Sequence, residues 1–408
     1  MKHSTLFSLA AIVLATATFS PIAAAQTAAA RDTLVGFFAQ ANYPSTSAPA
    51  PLQSYNSKGL TNEVRHDATG RWTVTFRGLG DPTGQFVGLP AVTANGNVAL
   101  KDELHPALCT IASFKSAAPS PGAAFDAVLD VRCFAPNGLP DDATYVVAWS
   151  VPTSPTGLVT AAQADAGKPT DVLPKTAKPP RIRQFSNSSG GTLLSVTHNA
   201  VGSYKVSIPL NGYTRVNGGT VHLTTIAKDA VHCRVARWDE GFTTANVLDV
   251  NVLCYGYGAS FSVNPVLVDS AFLVSFADGQ SRSGTRSTAF DHAYVWLENA
   301  NFTTAPYAPR TQYQFTSVDG LARPTSITAR RFGGIPGTYA LDFAGLRNGP
   351  ATPMLTDYGT GTTFCGARQL YPSGTASAPK ETLEVLCFDP SGISTDAMFV
   401  AQVIDERP

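Results

Sequence analysis

The chain has 408 residues, 44% of them hydrophobic and only 14% charged, with 29 basic against 29 acidic side chains. A balanced charge at this low density leaves no electrostatic footprint for nucleic acid or for an anionic membrane surface. The apolar content is too high for a disordered chain, and 34 glycines with 29 prolines suit many short strands joined by tight turns.

Residues 1–25 read as a secretory signal peptide. Lys2 gives a basic start, an apolar run extends from Leu6 to Phe19, Pro21 breaks it, and Ala23-Ala24-Ala25 offers a small-residue cleavage site. The run is shorter than the roughly 20 residues a membrane-spanning helix needs. No cysteine follows Ala25 to accept a lipid, and no second apolar run of membrane length appears. The expectation is an exported protein, extracellular or periplasmic, with no transmembrane anchor and room for two or three domains.

Four landmarks then recur in the same order. A leading strand reads Leu34-Val35-Gly36-Phe37-Phe38 in the first copy and Ala293-Tyr294-Val295-Trp296-Leu297 in the third; it is faded near Gly157-Leu158-Val159 in the second. A glycine followed by alternating residues comes next: Gly70-Arg71-Trp72-Thr73-Val74-Thr75-Phe76, Gly202-Ser203-Tyr204-Lys205-Val206-Ser207-Ile208 and Gly337-Thr338-Tyr339-Ala340-Leu341-Asp342-Phe343. Aromatic or branched residues at every second position bury one strand face, and the glycine is a turn residue. The third landmark is a strand opening on Cys109, Cys233 or Cys365. The fourth is a pair of strands broken by a turn and an aspartate: from Asp130 through Cys133 and Asp142, from Val252 through Cys254 and Asp269, and from Glu384 through Cys387 and Asp396. The aspartates are 127 residues apart twice over, and the first cysteines are 124 and 132 apart, so one module of about 130 residues was used three times.

Composition places the boundaries near 155 and 285, giving units 26–154, 155–284 and 285–408. Pro152 to Arg183 and Asp278 to Thr288 are polar and read as linkers or long surface loops. Only Thr160–Lys168 and Lys101–Leu108 suit a turn or two of helix. Seven or eight short strands per unit predict an all-β protein of three tandem β-sandwiches of Greek-key or jelly-roll type. The alternative is a six-bladed, propeller-like closure with two four-stranded blades per unit.

The six cysteines fall two per repeat. Of the 15 pairings six cysteines allow, one respects the repeat: Cys109 with Cys133, Cys233 with Cys254, and Cys365 with Cys387. Export makes oxidation the default, and each loop of 21 to 24 residues is worth roughly 3 kcal/mol in the chain-entropy model. A metal site would need Cys-x-x-Cys spacing or a matching histidine in each copy, and neither is present.

Asp142, Asp269 and Asp396 each stand three residues before an aromatic: Tyr145, Phe272 or Phe399. They suit either a calcium or ligand carboxylate, aided by Asp141 or Asp389, or a side chain that closes a turn by accepting backbone N–H groups. Lack of a dense Asp-x-Asp-x-Asp-Gly array favours the turn. His66 and His198 occupy similar places ahead of the glycine strand, where the third copy has Arg330 and Arg331. Gly359-Thr360-Gly361-Thr362-Thr363 resembles a phosphate loop in composition only, precedes a strand, and reads as a hairpin turn. Trp72, Trp149, Trp238 and Trp296 suit a sugar-stacking platform or, since three of them sit at repeat positions held elsewhere by apolar residues, the core. Tyr255 and Tyr257 belong to an insertion unique to the second copy and are the expected exposed ligand contacts.

The strings AYVWLENANFTTAPYAPRTQYQFTS from Ala293, GTYALDFAGL from Gly337 and LEVLCFDPSGISTDAMFVAQV from Leu383 resemble repeat units of uncharacterised secreted bacterial proteins. The resemblance implies export and tandem disulfide-containing β-modules, and it implies no catalytic, cofactor or metal-binding residue. Because what recurs is scaffold, namely alternating strands, turn residues and cystines, the expected role is a non-catalytic exported protein acting in binding, adhesion or envelope-associated structure, with a glycan or cell-surface component as partner and no cofactor. The competing expectation is a secreted hydrolase with one active site, for which His222, His232, Asp239 and Glu240 are the nearest grouping.

Overall fold

Alternation dictates the strands wherever only one face is covered. In Ser203–Pro209 the side chains of Tyr204, Val206 and Ile208 are buried while Ser203, Lys205 and Ser207 are partly exposed. Other strands, such as Thr220–Ile226 and Ala351–Tyr358, are buried on nearly every residue, because both of their faces are packed.

The computed structural model describes residues 34–40, 51–80, 89–95, 106–151, 158–164, 182–186, 195–209, 218–240, 247–258, 264–278, 290–303, 305–318, 327–346 and 351–406. The first repeat supplies β1 (Leu34–Gln40), β2 (Pro51–Asn56), β3 (Glu63–Ala68), β4 (Arg71–Phe76), β5 (Leu89–Asn95), β6 (Leu108–Ala117), β7 (Asp126–Phe134) and β8 (Thr144–Val151). The second supplies β9 (Leu158–Ala164), β10 (Ile182–Ser186), β11 (Ser195–Ala200), β12 (Ser203–Pro209), β13 (Thr220–Ile226), β14 (Val231–Glu240), β15 (Val247–Gly256), β16 (Val266–Leu267) and β17 (Ala271–Asp278). The third supplies β18 (Phe290–Leu297), β19 (Gln314–Thr316), β20 (Ile327–Arg331), β21 (Thr338–Ala344), β22 (Ala351–Tyr358), β23 (Phe364–Pro372), β24 (Lys380–Phe388) and β25 (Met398–Glu406). Among the described residues a single 3-10 turn, at Thr311–Tyr313, interrupts the strands.

The stretch read as a linker contains β9 and the start of β10, and Thr160 lies in a strand where a helical turn was entertained. Alanine and glutamine give β9 almost no periodic signal. Pairing decides its state instead, with β10 on one side and β17 on the other. The signal segment and residues 279–289, which include all of the second expected linker but Asp278, lie outside the described residues.

Each repeat is a sandwich of two half-sheets, and each half-sheet continues into a neighbouring repeat. One sheet runs β2-β1-β8-β5-β23-β24-β21-β20, another β10-β9-β17-β13-β6-β7-β4-β3, and the third β11-β12-β15-β14-β22-β25-β18-β19 with β16 paired to β15. The three joins are parallel and are the only parallel pairs among the described residues: Ile226 opposite Ile111, Val235 opposite Tyr358, and Ala367 opposite Asn95. The fold is thus all-β and built of β-sandwiches. Its four-stranded halves are merged in pairs into three sheets rather than standing as six separate blades.

Because the first repeat joins the second, the second the third, and the third the first, the joins close a ring with β5, β13 and β22 at its centre. Three apolar cores fill the sandwiches, centred on Trp72 and Val147, on Val206 and Phe276, and on Tyr339 and Val403. A fourth core, containing Phe134, Tyr255, Phe388, Leu108 and Phe364, takes residues from all three repeats.

The disulfides join directly opposed residues of neighbouring strands, with Cα–Cα distances of 4.1, 3.9 and 4.0 Å for Cys109–Cys133, Cys233–Cys254 and Cys365–Cys387. Beside each lies the glycine that opens the alternating strand. Gly70, Gly202 and Gly337 have φ of +66°, +66° and +73°, and their carbonyls accept the second cysteine's N–H at 2.9, 2.9 and 2.8 Å. A Cβ there would stand 2.5, 2.7 or 2.6 Å from that cysteine's carbonyl oxygen, so no side chain fits.

Candidate functional site

The repeated aspartate completes the same node. Asp142, Asp269 and Asp396 accept the N–H of Gly70, Gly202 and Gly337 at 2.7, 2.8 and 2.8 Å. His66 and His198 reach Asp142 and Asp269 at 2.9 and 2.8 Å, and Arg331 reaches Asp396 at 2.6 Å. The Tyr204 and Tyr339 hydroxyls donate to Asp269 and Asp396, each at 3.0 Å. Burial pushes the Asp269 carboxyl up, but the bonds from Gly202, His198 and Tyr204 together hold it below the usual carboxylate range. These carboxylates are occupied inside the fold, as turn closure requires. The sequence hint was there: His, His and Arg stand at one repeat position, opposite an aspartate that never changes.

The seam between the second and third repeats concentrates the polar groups that have no copy elsewhere. His232 of β14 lies 2.5 Å from Asp357 of β22, whose other oxygen accepts the Cys365 N–H at 3.0 Å. Thr225 holds Cys233 in the equivalent way at 2.8 Å. Arg234, 1% exposed, donates to the carbonyls of Tyr358 (2.5 Å), Gly361 (2.5 Å) and Thr363 (2.8 Å). Tyr255 and Tyr257 are 8% and 5% exposed, and their hydroxyls donate to Thr360 (2.8 Å) and Thr362 (2.7 Å). The expected exposure of these two tyrosines is therefore corrected. Tyr255 holds the repeat position of Phe134 and Phe388, and Tyr257 begins the insertion. Together they grip the Gly359–Thr363 segment of the third repeat, and the surface they cover is internal. That segment is a crossover loop and not the expected hairpin turn, because β22 and β23 lie in different sheets.

Where β5, β13 and β22 meet, three threonines at one repeat position lock the strands together. Thr356 Oγ1 accepts the Leu223 N–H at 3.0 Å, Thr93 Oγ1 accepts the Leu355 N–H at 3.1 Å, and Thr224 Oγ1 donates to the Pro90 carbonyl at 3.0 Å. Between them and the first cysteine of each disulfide lies a cavity of about 40 Å³, with His232 and Asp357 in its wall.

The other predicted residues serve packing. Trp72, Trp149 and Trp238 are 0%, 3% and 6% exposed, and the Trp149 indole donates to the Leu79 carbonyl at 3.0 Å. Trp296 is half-buried in a cluster with Trp238, Tyr313 and Tyr358. His222 sits on β13 and His232 on β14, in different sheets, and Asp239 lies seven residues beyond His232, about 23 Å along the strand. That grouping does not converge on one cleft. Among the described residues no three His, Cys, Asp or Glu side chains are placed to hold a metal ion, and no helix is long and apolar enough to cross a membrane.

What does face outward in every copy is aliphatic. Leu139, Val266 and Ile393 each stand three residues before the repeated aspartate and are 54%, 42% and 65% exposed. Val201, Leu267 and Ile335 add to the same end, since the Gly202 and Gly337 turns pack on residues 267–268 and 395. The aspartate turns themselves touch: Gly138 abuts Tyr257 and Gly258, and Gly392 abuts Pro106 and Pro136. Aligning the three copies on the aspartate would have revealed this position. Comparison with known proteins found no matching family model, no similar curated protein and no similar solved structure.

Proposed function

We propose that the protein is an exported, non-catalytic binding scaffold of the extracellular space or cell envelope, which engages an apolar patch on a cell-surface component through its three turn tips. The observation that carries this reading is the recurrence of an exposed aliphatic residue at one repeat position, Leu139, Val266 and Ile393, while the repeat's glycine, aspartate and cysteines are all consumed inside the fold. Exposed apolar groups gathered at one end of a molecule mark interaction sites. Aliphatic tips favour an apolar surface over a sugar, because sugars are gripped by exposed aromatic faces and the tryptophans here are turned inward.

The test is co-sedimentation of the purified protein with envelope fractions, cell-wall material and immobilised glycans. Saturable binding to envelope material is expected, weakened at least tenfold in the triple variant L139S/V266S/I393S while its unfolding midpoint is unchanged. Silence across the panels, or binding indifferent to the triple variant, overturns the reading.

A further inference from the structure

Nearly all buried polar atoms in folded proteins carry a hydrogen bond, so a buried group without a protein partner points to something else that satisfies it. Three such side chains stand on a central strand or on the strand paired with one: Thr352 on β22, Ser275 on β17 beside β13, and Gln402 on β25 beside β22, which are 0%, 2% and 0% exposed. The Ser275 hydroxyl, both the nitrogen and the oxygen of the Gln402 amide, and the Thr352 hydroxyl have no protein partner.

Their placement is ordered. Ser275 and Gln402 occupy one repeat position, six residues after the repeated aspartate, where the first repeat has Ala148. Across the ladder they oppose His222 and Met354, as Ala148 opposes Ala91. His222 and Met354 lie two residues before Thr224 and Thr356, and side chains two apart on a strand share a face. The layer of Ser275 and Gln402 therefore continues the threonine layer along the centre, about 7 Å from it, and Thr352 extends the same face by one more pair. These polar groups share their layer with the apolar cluster of Ala91, Ala148, Met354 and Ile404. The 40 Å³ cavity lies at the cysteine end of the column, lined by the three threonines and not by Ser275, Gln402 or Thr352.

We propose that this column is a binding site for a chain of ordered water molecules, anchored on the three threonines, Ser275 and the Gln402 amide. The donor set fits water. It consists of hydroxyls, an amide and carbonyls, which both give and take hydrogen bonds. The charged groups that border the cavity, Asp357 and His232, are engaged with each other. The cavity at the threonine end has room for about three waters, given some 10–15 Å³ for each, and too little for an organic ligand; the waters at Ser275 and Gln402 continue the chain beyond it.

A crystal structure at a resolution that shows ordered solvent, combined with the near-isosteric variant Gln402→Met, tests this. Solvent density within hydrogen-bonding reach of the Gln402 amide and the Ser275 hydroxyl is expected, with the unfolding midpoint of Q402M several degrees below wild type because the waters lose an anchor. A centre free of solvent density in the wild-type crystal overturns the proposal. So does a raised midpoint in Q402M, the outcome when an unsatisfied buried amide is removed from a dry core. If Q402M does not fold, the wild-type density decides.

Discussion

At the seam between the first and second repeats, Thr110 reaches across to the Ala227 carbonyl at 2.9 Å. At the same ladder position in the next seam, one residue after the first cysteine, stands Arg234, which holds three carbonyls of the Tyr358–Thr363 crossover loop. The parallel backbone pairing is alike in the two, with the Ala227 N–H donating to Ile111 at 3.0 Å and the Gly359 N–H to Val235 at 2.9 Å. Three similar half-sheets offer three similar edges, so backbone alone does not dictate which half joins which. A buried guanidinium satisfied by the third repeat's crossover loop makes a junction lacking that loop costly, and Thr110 leaves no such demand at its own.

Removing Arg234 and Thr110 in separate variants tests the difference between the two seams. Arg234→Met strands three carbonyls in the interior and should cost on the order of 3–5 kcal/mol, whereas Thr110→Val should cost about 1 kcal/mol. Urea unfolding of each variant reads the difference, and equal losses would show that the seams do not differ in the way described. The cystines belong to the repeated part and should behave alike. Replacing Cys233 and Cys254, or Cys109 and Cys133, by alanine should cost roughly 3 kcal/mol in either case, because the closed loops span 21 and 24 residues. A much larger loss at Cys233–Cys254 would mean that the cross-link also supports the Arg234 clamp.

The sequence made legible what repeats locally. Alternation in Gly202–Ile208 located a strand with one buried face, the even distribution of cysteines fixed their pairing, and the aspartate after each turn was read as a cap. The merger of half-sheets was not legible. Each seam rests on pairing between strands far apart in the chain, Val235 with Tyr358 for instance, and on groups that occur once. Tyr257 looks like an exposed elaboration until the neighbouring repeat is laid against it, because it lies in an insertion absent from the sister copies. Tyr255, in contrast, stands at the core position of Phe134 and Phe388, and aligning the copies on the second cysteine would have placed it inside. The centre was hidden as well, because Thr93, Thr224 and Thr356 are unremarkable until the ring brings them together.

A smaller contrast separates the cores. Six residues before the second cysteine the first and second repeats have Ala127 and Leu248, both fully buried, and the third has Glu381, 2% exposed. Burial, and then the nearby Asp405 carboxylate, push the Glu381 carboxyl up from 4.5 to about 9. Between those values it is neutral when folded and ionised when unfolded, so the folded state binds the extra proton and stability falls as pH rises across that window. The slope is at most about 1.4 kcal/mol per pH unit, and it ends above about pH 9. Glu381→Gln should flatten the dependence of the unfolding midpoint between pH 5 and 9. An unchanged profile would place the titration elsewhere.

The smallest expected effect refines the clamp itself. Tyr255→Phe and Tyr257→Phe keep the rings in the shared core and remove only the hydroxyl bonds to Thr360 and Thr362. Each should cost about 1 kcal/mol, the net worth of one hydrogen bond plus the carbonyl left unpaired. In the background of Arg234→Met each should cost less, because the loop they hold has already lost its principal anchor and groups sharing one partner do not act independently. Additive losses across that double-mutant cycle would mean that the arginine and the tyrosines act separately, and that the insertion of the second repeat stabilises its own fold without contributing to the choice of neighbour.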